Sequence, residues 1–204
     1  MLERRGNILT VLNKSKKISD LDIKTIVEQV QTGDIHAYTE LIRCFQKPIY
    51  TYCYYLLGSK EEAEDASQDI FIKGLENISN FSYMVSFSAW LYKIAHHHCI
   101  DLIKKKNKGY KFWAGFKKVY ENQTHIQESR YDNIIHELLE ALNVDEKRIL
   151  LLRSIEEYSF DEIASIMGLK TTTVRKKYER LRKKLMKKNT LGADIYGHSF
   201  KTGG

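Results

Sequence analysis

The sequence predicts an all-α chain, built as two small helical domains joined by a flexible basic linker. Three observations predict it. Pro48 is the single proline in 204 residues and glycine numbers only 11, too few turn-forming residues for an all-β chain. Apolar residues recur at helical spacing over long stretches. Ser59 followed by Glu62, and Ser159 followed by Glu162, are capping-box patterns that open helices.

The elements follow in order. Residues 1–20 are polar and basic without a clear period, and are expected to be a mobile tail. From Asp20, the residues Leu21, Ile23, Ile26, Val27 and Val30 fall on one helical face until Gly33 and Asp34 interrupt it. Tyr38, Leu41, Ile42 and Phe45 resume the period, and Pro48 predicts a kink. Ile49 to Leu57 is rich in aromatics, and Gly58 and Ser59 mark a turn. The helix opened by Ser59 runs through Ala63, Ala66, Ile70 and Phe71 toward Leu75. Its early carboxylates Glu61 and Glu62 suit a helix dipole, whereas Asp65 and Asp69 lie too far in for that account. Residues 77–87 are expected to be a loop, and Ser88 to Lys105 a helix containing Trp90, Leu91, Ile94, Ala95 and Leu102. Lys104 to Lys118 holds seven lysines and no acid, which reads as the start of a linker over 109–130. Helices are expected at Tyr131–Leu142 and Asp145–Glu157, then from Ser159 to Gly168, then from Thr171 or Thr172 to about Lys188. Residues 189–204 read as a disordered tail.

Composition narrows the function. Lys plus Arg is 33 against 26 for Asp plus Glu, a net charge of +7, which suits a nucleic-acid partner. No run approaches the roughly 20 apolar residues of a membrane span, and the N-terminus lacks the pattern of a signal peptide. Three widely spaced cysteines, Cys44, Cys53 and Cys99, do not make a disulfide framework, so a reducing cytoplasm is expected. No phosphate loop, nucleophile elbow or HExxH is present, and an enzyme is not expected. His96, His97, His98 and Cys99 do not make a metal site, because consecutive helical side chains point about 100° apart and no second ligand pair is evident. No cofactor, metal or small-molecule substrate is expected.

The most informative stretch is Phe160 to Lys188, which reads as helix, glycine turn, helix. On a helical wheel Val174, Tyr178, Leu181 and Leu185 form one stripe that should pack on the preceding helix, where small Ala164 permits close approach. The remaining surface carries nine basic residues and one acid from Thr171 to Lys188. Such a helix fits a DNA major groove, where Arg and Lys donate to guanine and Glu accepts from cytosine. Arg175, Lys176, Glu179 and Arg180 are therefore expected near bases, and Thr172, Thr173, Lys183 and Lys184 near the backbone. The competing account is a solvated basic face.

Two separate blocks together carry a specific resemblance. Asp161-Glu162-Ile163-Ala164-Ser165-Ile166-Met167-Gly168, then Thr173-Val174-Arg175, resembles the region 4 helix-turn-helix of bacterial sigma factors of the sigma-70 family, extracytoplasmic-function group. Glu64-Asp65-Ala66-Ser67-Gln68-Asp69-Ile70-Phe71 resembles region 2.2 of that family. Trp90-Leu91-Tyr92-Lys93-Ile94-Ala95, followed by Asp101, resembles regions 2.3 and 2.4. The resemblance implies a region 2 domain over 21–108 and a region 4 domain over 131–188. It implies core RNA polymerase, through its clamp coiled coil and flap, and promoter DNA as partners, with an anti-sigma factor as a further one. Glu64, Asp65, Gln68, Asp69 and Phe71 would then dock on the polymerase, and the second helix of region 4 would read the −35 element as duplex. Asn80, Phe81, Tyr83, Lys93, His97, Lys104 and Lys105 would serve the −10 element, since separated strands need aromatic pockets beside cations. Trp90 is expected in the core. The chain departs from the family where His96 and His97 stand in place of an Arg then an Asn, and where Val144 stands near a usual proline. A stand-alone helix-turn-helix regulator and a basic adaptor protein are the alternative readings, and neither accounts for the region 2 block.

Overall fold

The computed structural model describes residues 20–113, 139, 142–154 and 156–197, and among them the secondary structure is helical throughout, with no strand. The expected N-terminal tail before Asp20, the linker beyond Trp113 and the Tyr131–Leu142 helix apart from Leu139 and Leu142 lie outside the described residues. The helices are α1 (Asp20–Gln31), α2 (Tyr38–Leu57), α3 (Lys60–Asn77), α4 (Phe87–Trp113), α5 (Val144–Ser154), α6 (Phe160–Met167) and α7 (Thr171–Gly197).

The first half is a bundle in which α2 packs on α3 and both pack on α4. Its core is filled by Val27, Leu41, Ile49, Ile70, Leu91, Ala95 and Cys99, each buried aliphatic contributing about 1.5–3 kcal/mol. Pro48 sits inside α2, and the helix continues through it to Gly58, whose left-handed φ of 76° closes it. Ser59 caps α3 by accepting from the Glu62 amide. The expected loop after α3 is partly ordered as a 3-10 turn at Ile78–Asn80. Gln31 of α1 holds that turn from outside, donating to the carbonyls of Ile78 at 2.8 Å and Phe81 at 3.0 Å.

Gly74 sits where α3 closely approaches Tyr38 and Leu91. A Cβ there would stand 2.5 Å from the Tyr38 hydroxyl and 3.4 Å from Leu91 Cδ1. That hydroxyl donates to the Phe71 carbonyl at 2.9 Å inside the core. Gly74→Ala gains about 1 kcal/mol of helix propensity. It loses more, through overpacking and the displaced hydrogen bond, each worth about 1–3 kcal/mol. The expected result is a net destabilisation of about 1–2 kcal/mol in urea unfolding; an unchanged midpoint would show that Tyr38 yields freely.

The second half is a trio, with α7 packed against both α5 and α6. Its core holds Ile149, Leu152, Ile163, Ile166, Val174 and Leu181. Asn143 and Glu146 make a reciprocal cap at the start of α5, the Asn143 side chain accepting from the Glu146 amide at 2.9 Å and the Glu146 carboxylate accepting from the Asn143 amide at 3.0 Å. Ser159 and Glu162 form the predicted capping box on α6. At its other end Gly168, with φ of 65°, and Leu169 donate to the Ser165 and Ala164 carbonyls, the two bonds of a Schellman turn.

Three boundaries differ from the sequence reading. α5 ends at Ser154 rather than Glu157, because the chain turns through Glu157 with φ of 56°, and Arg153 braces that turn by donating to the carbonyls of Glu157 and Tyr158. α4 runs on to Trp113 and α7 to Gly197. Neither extension contains proline, and one glycine costs a helix only about 1 kcal/mol.

Candidate nucleic-acid interface

α7 presents the charged face that its sequence pattern predicts. Val174 and Leu181 are fully buried and Tyr178 and Leu185 pack against the core. Turning that stripe inward leaves Thr172, Arg175, Lys176, Glu179, Arg180, Lys183 and Lys184 exposed, with Thr173 half-buried. The first turn of α7 is pinned to α6 by Thr171, whose hydroxyl donates to Asp161 at 2.7 Å rather than capping its own helix. Phe160, at the start of α6, lies against the Tyr178 ring and beneath two guanidinium groups, Arg153 at 5.2 Å and Arg175 at 5.7 Å from its centroid. Arg175 is thus steered by a cation–π contact while its donors stay outward.

Not every cation on α7 is free. Lys184 donates to Glu146 at 2.9 Å and Lys177 to Asp145 at 2.6 Å. Burial works to raise both carboxyls, but these ammonium groups, with the Arg148 guanidinium at Asp145 and the Asn143 amide at Glu146, outweigh it and hold both below the usual carboxylate range. Lys184 therefore ties α7 to the start of α5, a structural task beside the backbone contact expected of it.

In the first half, Lys93, His97, Asp101 and Lys104 follow one another at helical spacing along the exposed side of α4, with Lys105 turned aside from them. The His97 Nδ1 donates to the Lys93 carbonyl at 2.7 Å. Beside this row, Lys73 and Asn77 of α3 join Trp90, Lys93 and His97 around a groove of about 430 Å³. Lys73 and Asn77 escape a sequence reading because they belong to a different helix and no local pattern marks them. Asn80 is exposed on the 3-10 turn. Tyr83 is brought elsewhere: with Met84, Val85, Ile23 and Lys24 it lines a second groove of about 470 Å³. Its hydroxyl donates to the Lys24 carbonyl at 3.0 Å.

Two expected site residues are core residues in the structure. Phe81 is only 6% exposed, its ring packed among Phe87, Trp90 and Tyr83, so it has no face to offer a base. Phe71 is 7% exposed because it shares the inward stripe of α3 with Ala63, Ala66, Ile70 and Gly74. The apolar side chain that α3 does present is the next one, Ile72, at 56% exposure. Trp90 is half-buried and packs on Phe81 and Phe87, as expected of a core residue.

The acids of α3 lie on its outer side. Glu64, Asp65, Gln68 and Asp69 are all exposed. Asp69 Oδ2 lies 3.4 Å from His98 Nε2, while the Lys73 ammonium donates to His98 Nδ1. Burial, then Lys73, push the His98 imidazole below its ordinary range, which keeps it neutral and able to accept that bond. Glu62 is held by Lys106 at 2.9 Å. The molecule thus separates its charge: an acidic face on α3, and cationic faces on α4 and α7.

Comparison with known proteins matches the two halves of the chain to two family models. The family model for sigma-70 region 2 matches residues 41–109, and that for sigma-70 region 4 matches residues 132–185. The chain is 32% identical over 182 residues to the ECF RNA polymerase sigma factor SigW of Bacillus subtilis, covering 82% of this chain and 97% of that one. It is 25% identical over 183 residues to the ECF RNA polymerase sigma-E factor of Escherichia coli, covering 82% and 93% respectively. Among solved structures, its fold is similar to that of CnrH in complex with the cytosolic domain of CnrY, with a TM-score of 0.62 at 20% identity over 84% of this chain and 97% of that one. It is also similar to RpoE in complex with the anti-sigma factor NepR from Bartonella quintana, with a TM-score of 0.61 at 19% identity over 81% and 95%. Among the described residues no helix is long and apolar enough to cross a membrane.

Proposed function

The chain belongs to the extracytoplasmic-function group of the sigma-70 family, and from that premise we propose that it joins core RNA polymerase and directs it to promoters by reading a −35 duplex and a −10 single strand. The observation that carries the reading is the separation of charge among three helices. The exposed acids Glu64, Asp65 and Asp69 on α3, with the amide of Gln68 and the apolar Ile72 beside them, suit a cationic and apolar protein surface such as the clamp coiled coil of the polymerase. The outward cations of α7 suit phosphates and guanine edges in a major groove. The row Lys93, His97 and Lys104, with Trp90 and Asn77 at its groove, suits a separated strand, which needs a ring to stack on and cations beside it. Asn80, Tyr83 and Lys105 lie outside that groove, Tyr83 lining the second one.

On this reading Ile72 takes the apolar docking place expected of Phe71, and Tyr83, Met84 and Val85 supply the loop contact expected of Phe81. The protein does no covalent chemistry; it positions an enzyme. An anti-sigma protein is a further partner class, since the structural neighbour RpoE was solved with one.

The test is transcription in vitro from genomic DNA with purified sigma-free core enzyme. Added protein should produce transcripts from defined start sites that core alone does not make. Sequence-specific DNA binding at full strength without polymerase, together with no initiation, would overturn the reading in favour of a stand-alone regulator.

A further inference from the structure

Cys53 of α2 and Cys99 of α4 meet inside the first bundle. Both are free thiols and both are fully buried. The Cys99 thiol donates to Cys53 Sγ at 3.6 Å, across 46 positions of sequence, so the two sulfurs are in direct contact. Neither residue takes part in the docking or promoter-reading surfaces described above. A cysteine that only fills a core behaves as a small hydrophobe, and nothing in that task requires two of them to face each other across a pair of helices.

We propose that Cys53 and Cys99 form a redox modification site, which a peroxide converts to a reversible disulfide that staples α2 to α4 and hardens the first half of the protein against unfolding. The site is independent of the promoter-reading function above.

Geometry selects this pair. A disulfide holds its sulfurs about 2.05 Å apart, so closing the contact asks for an approach of about 1.5 Å, shared between two side chains on two helices. Cys44, the third cysteine, lies on α2 nine residues before Cys53, which is about 13 Å along the helix axis, and cannot bond to it. The bond would close a loop over residues 53–99 that contains all of α3 and the first half of α4. A cross-link across so long a loop restricts the unfolded chain far more than the folded one.

Chemistry sets when it reacts. The Cys99 contact, then burial, push the Cys53 thiol up, so the closed core keeps it protonated and inert. Reduced thiols are therefore the resting state, and reaction waits for a local parting of α2 from α4. Tyr52, next to Cys53, buries a hydroxyl that has no hydrogen-bond partner; it regains water when the helices part, which lowers the cost of opening there. In the opened form one sulfur, as thiolate, attacks a peroxide oxygen: an S–O bond forms, the O–O bond breaks, and the leaving hydroxide takes up the thiol's proton as water. The second sulfur then attacks the sulfenic sulfur: the S–S bond forms, the S–O bond breaks, and hydroxide leaves with the second thiol's proton as water. Each sulfur gives up one electron and hydrogen peroxide becomes two waters. A partner thiol in contact captures the sulfenic acid before it goes on to the irreversible sulfinic state.

The test exposes the full-length protein to hydrogen peroxide, without polymerase or DNA. Intact mass should fall by that of two hydrogens, and a digest made without reductant should give one linked peptide pair, joining Cys53 to Cys99. Dithiothreitol should restore both peptides. Both tryptophans, Trp90 and Trp113, lie in α4, so their fluorescence follows unfolding of the first half. Its urea midpoint should rise by about 1 M or more in the oxidised protein and return on reduction. Cys44→Ser should keep the link and the rise. Cys99→Ala should lose both and gain the mass of oxygen instead. A wild type that stays fully reduced, takes up oxygen without linking, or links through Cys44 overturns the site. A Cys53–Cys99 link that leaves the midpoint unchanged or lower overturns the staple, and so does a folded Cys99→Ala protein whose midpoint rises under peroxide as the wild type's does.

Discussion

Asp65→Arg weakens association with core RNA polymerase by at least about thirtyfold, while the protein unfolds at the same denaturant concentration as wild type. The two halves of that expectation come from different features. Asp65 is exposed on the second turn of α3, and among the described residues no cation pairs with it, unlike Glu62, which Lys106 holds at 2.9 Å. Removing a solvated, unpartnered carboxylate changes stability by less than about 0.5 kcal/mol. At a docked interface the same group is worth far more. Breaking a desolvated charge pair costs about 2–5 kcal/mol, and a reversed charge adds repulsion to the loss. Ile72→Asp should behave alike, because Ile72 is the exposed apolar side chain beside those acids. Phe71→Ala should behave oppositely, losing about 3–5 kcal/mol of stability as a truncated core aromatic. Core binding measured by fluorescence anisotropy, beside urea unfolding of each variant, separates the two classes. Wild-type affinity of Asp65→Arg would remove α3 from the docking surface.

What could be read before the structure was whatever is decided within a few residues. Both predicted serine caps form, because a serine hydroxyl accepts from an amide of the same turn; the reciprocal glutamate bond closes the box at Ser159, whereas Glu62 turns to Lys106 instead of the Ser59 amide. The glycine stop of α6 and the inward stripe of α7 are equally local. The Asn143–Glu146 cap was just as local, with Asn at the first position in place of Ser, and was legible though not read. Phe71 and Phe81 were misplaced for another reason. An aromatic in a charged or polar stretch invites an outward role, and only the positions of neighbouring helices decide which way the ring turns. Phe71 follows the stripe set by Ala66, Ile70 and Gly74; Phe81 is drawn in by Phe87 and Trp90. The seam where α6 packs on α4 and α5 touches α2 was invisible for the strongest reason. Its residues, Tyr52, Tyr92, His96, Arg148 and Tyr158, are scattered over more than a hundred positions, and a sequence pattern carries no signal for a buried arginine whose acceptor lies 52 residues away. The run His96-His97-His98 looked like one feature and is three: His96 faces Arg148, His97 faces out and bonds back to Lys93, and His98 turns toward Lys73 and Asp69.

The doubly substituted Arg175→Ala, Arg180→Ala protein binds core polymerase normally and loses about a hundredfold or more in initiation at promoters that depend on a −35 element. Arg180 is exposed on the side of α7 away from the buried Val174 and Leu181, and Arg175 is exposed on its flank, so neither belongs to the core of the trio. Arg175 leans on the Phe160 ring, an attachment that orients it at little entropic cost when it meets a base. One bidentate arginine contact contributes about 1–3 kcal/mol of discrimination, and two independent ones add to roughly 2–6 kcal/mol. The lysines divide differently. Lys183 has no acidic partner among the described residues, and Lys183→Ala should weaken DNA binding about equally on all sequences and lower the salt slope by about one. Lys184 and Lys177 already serve Glu146 and Asp145, so their removal takes a cationic partner from a carboxylate at the start of α5 and shows first in the unfolding curve. Start-site mapping at several salt concentrations tells these outcomes apart. Should Arg175→Ala, Arg180→Ala initiate as well as wild type from −35-dependent promoters, α7 does not read bases, and its charge serves only to hold the phosphate backbone.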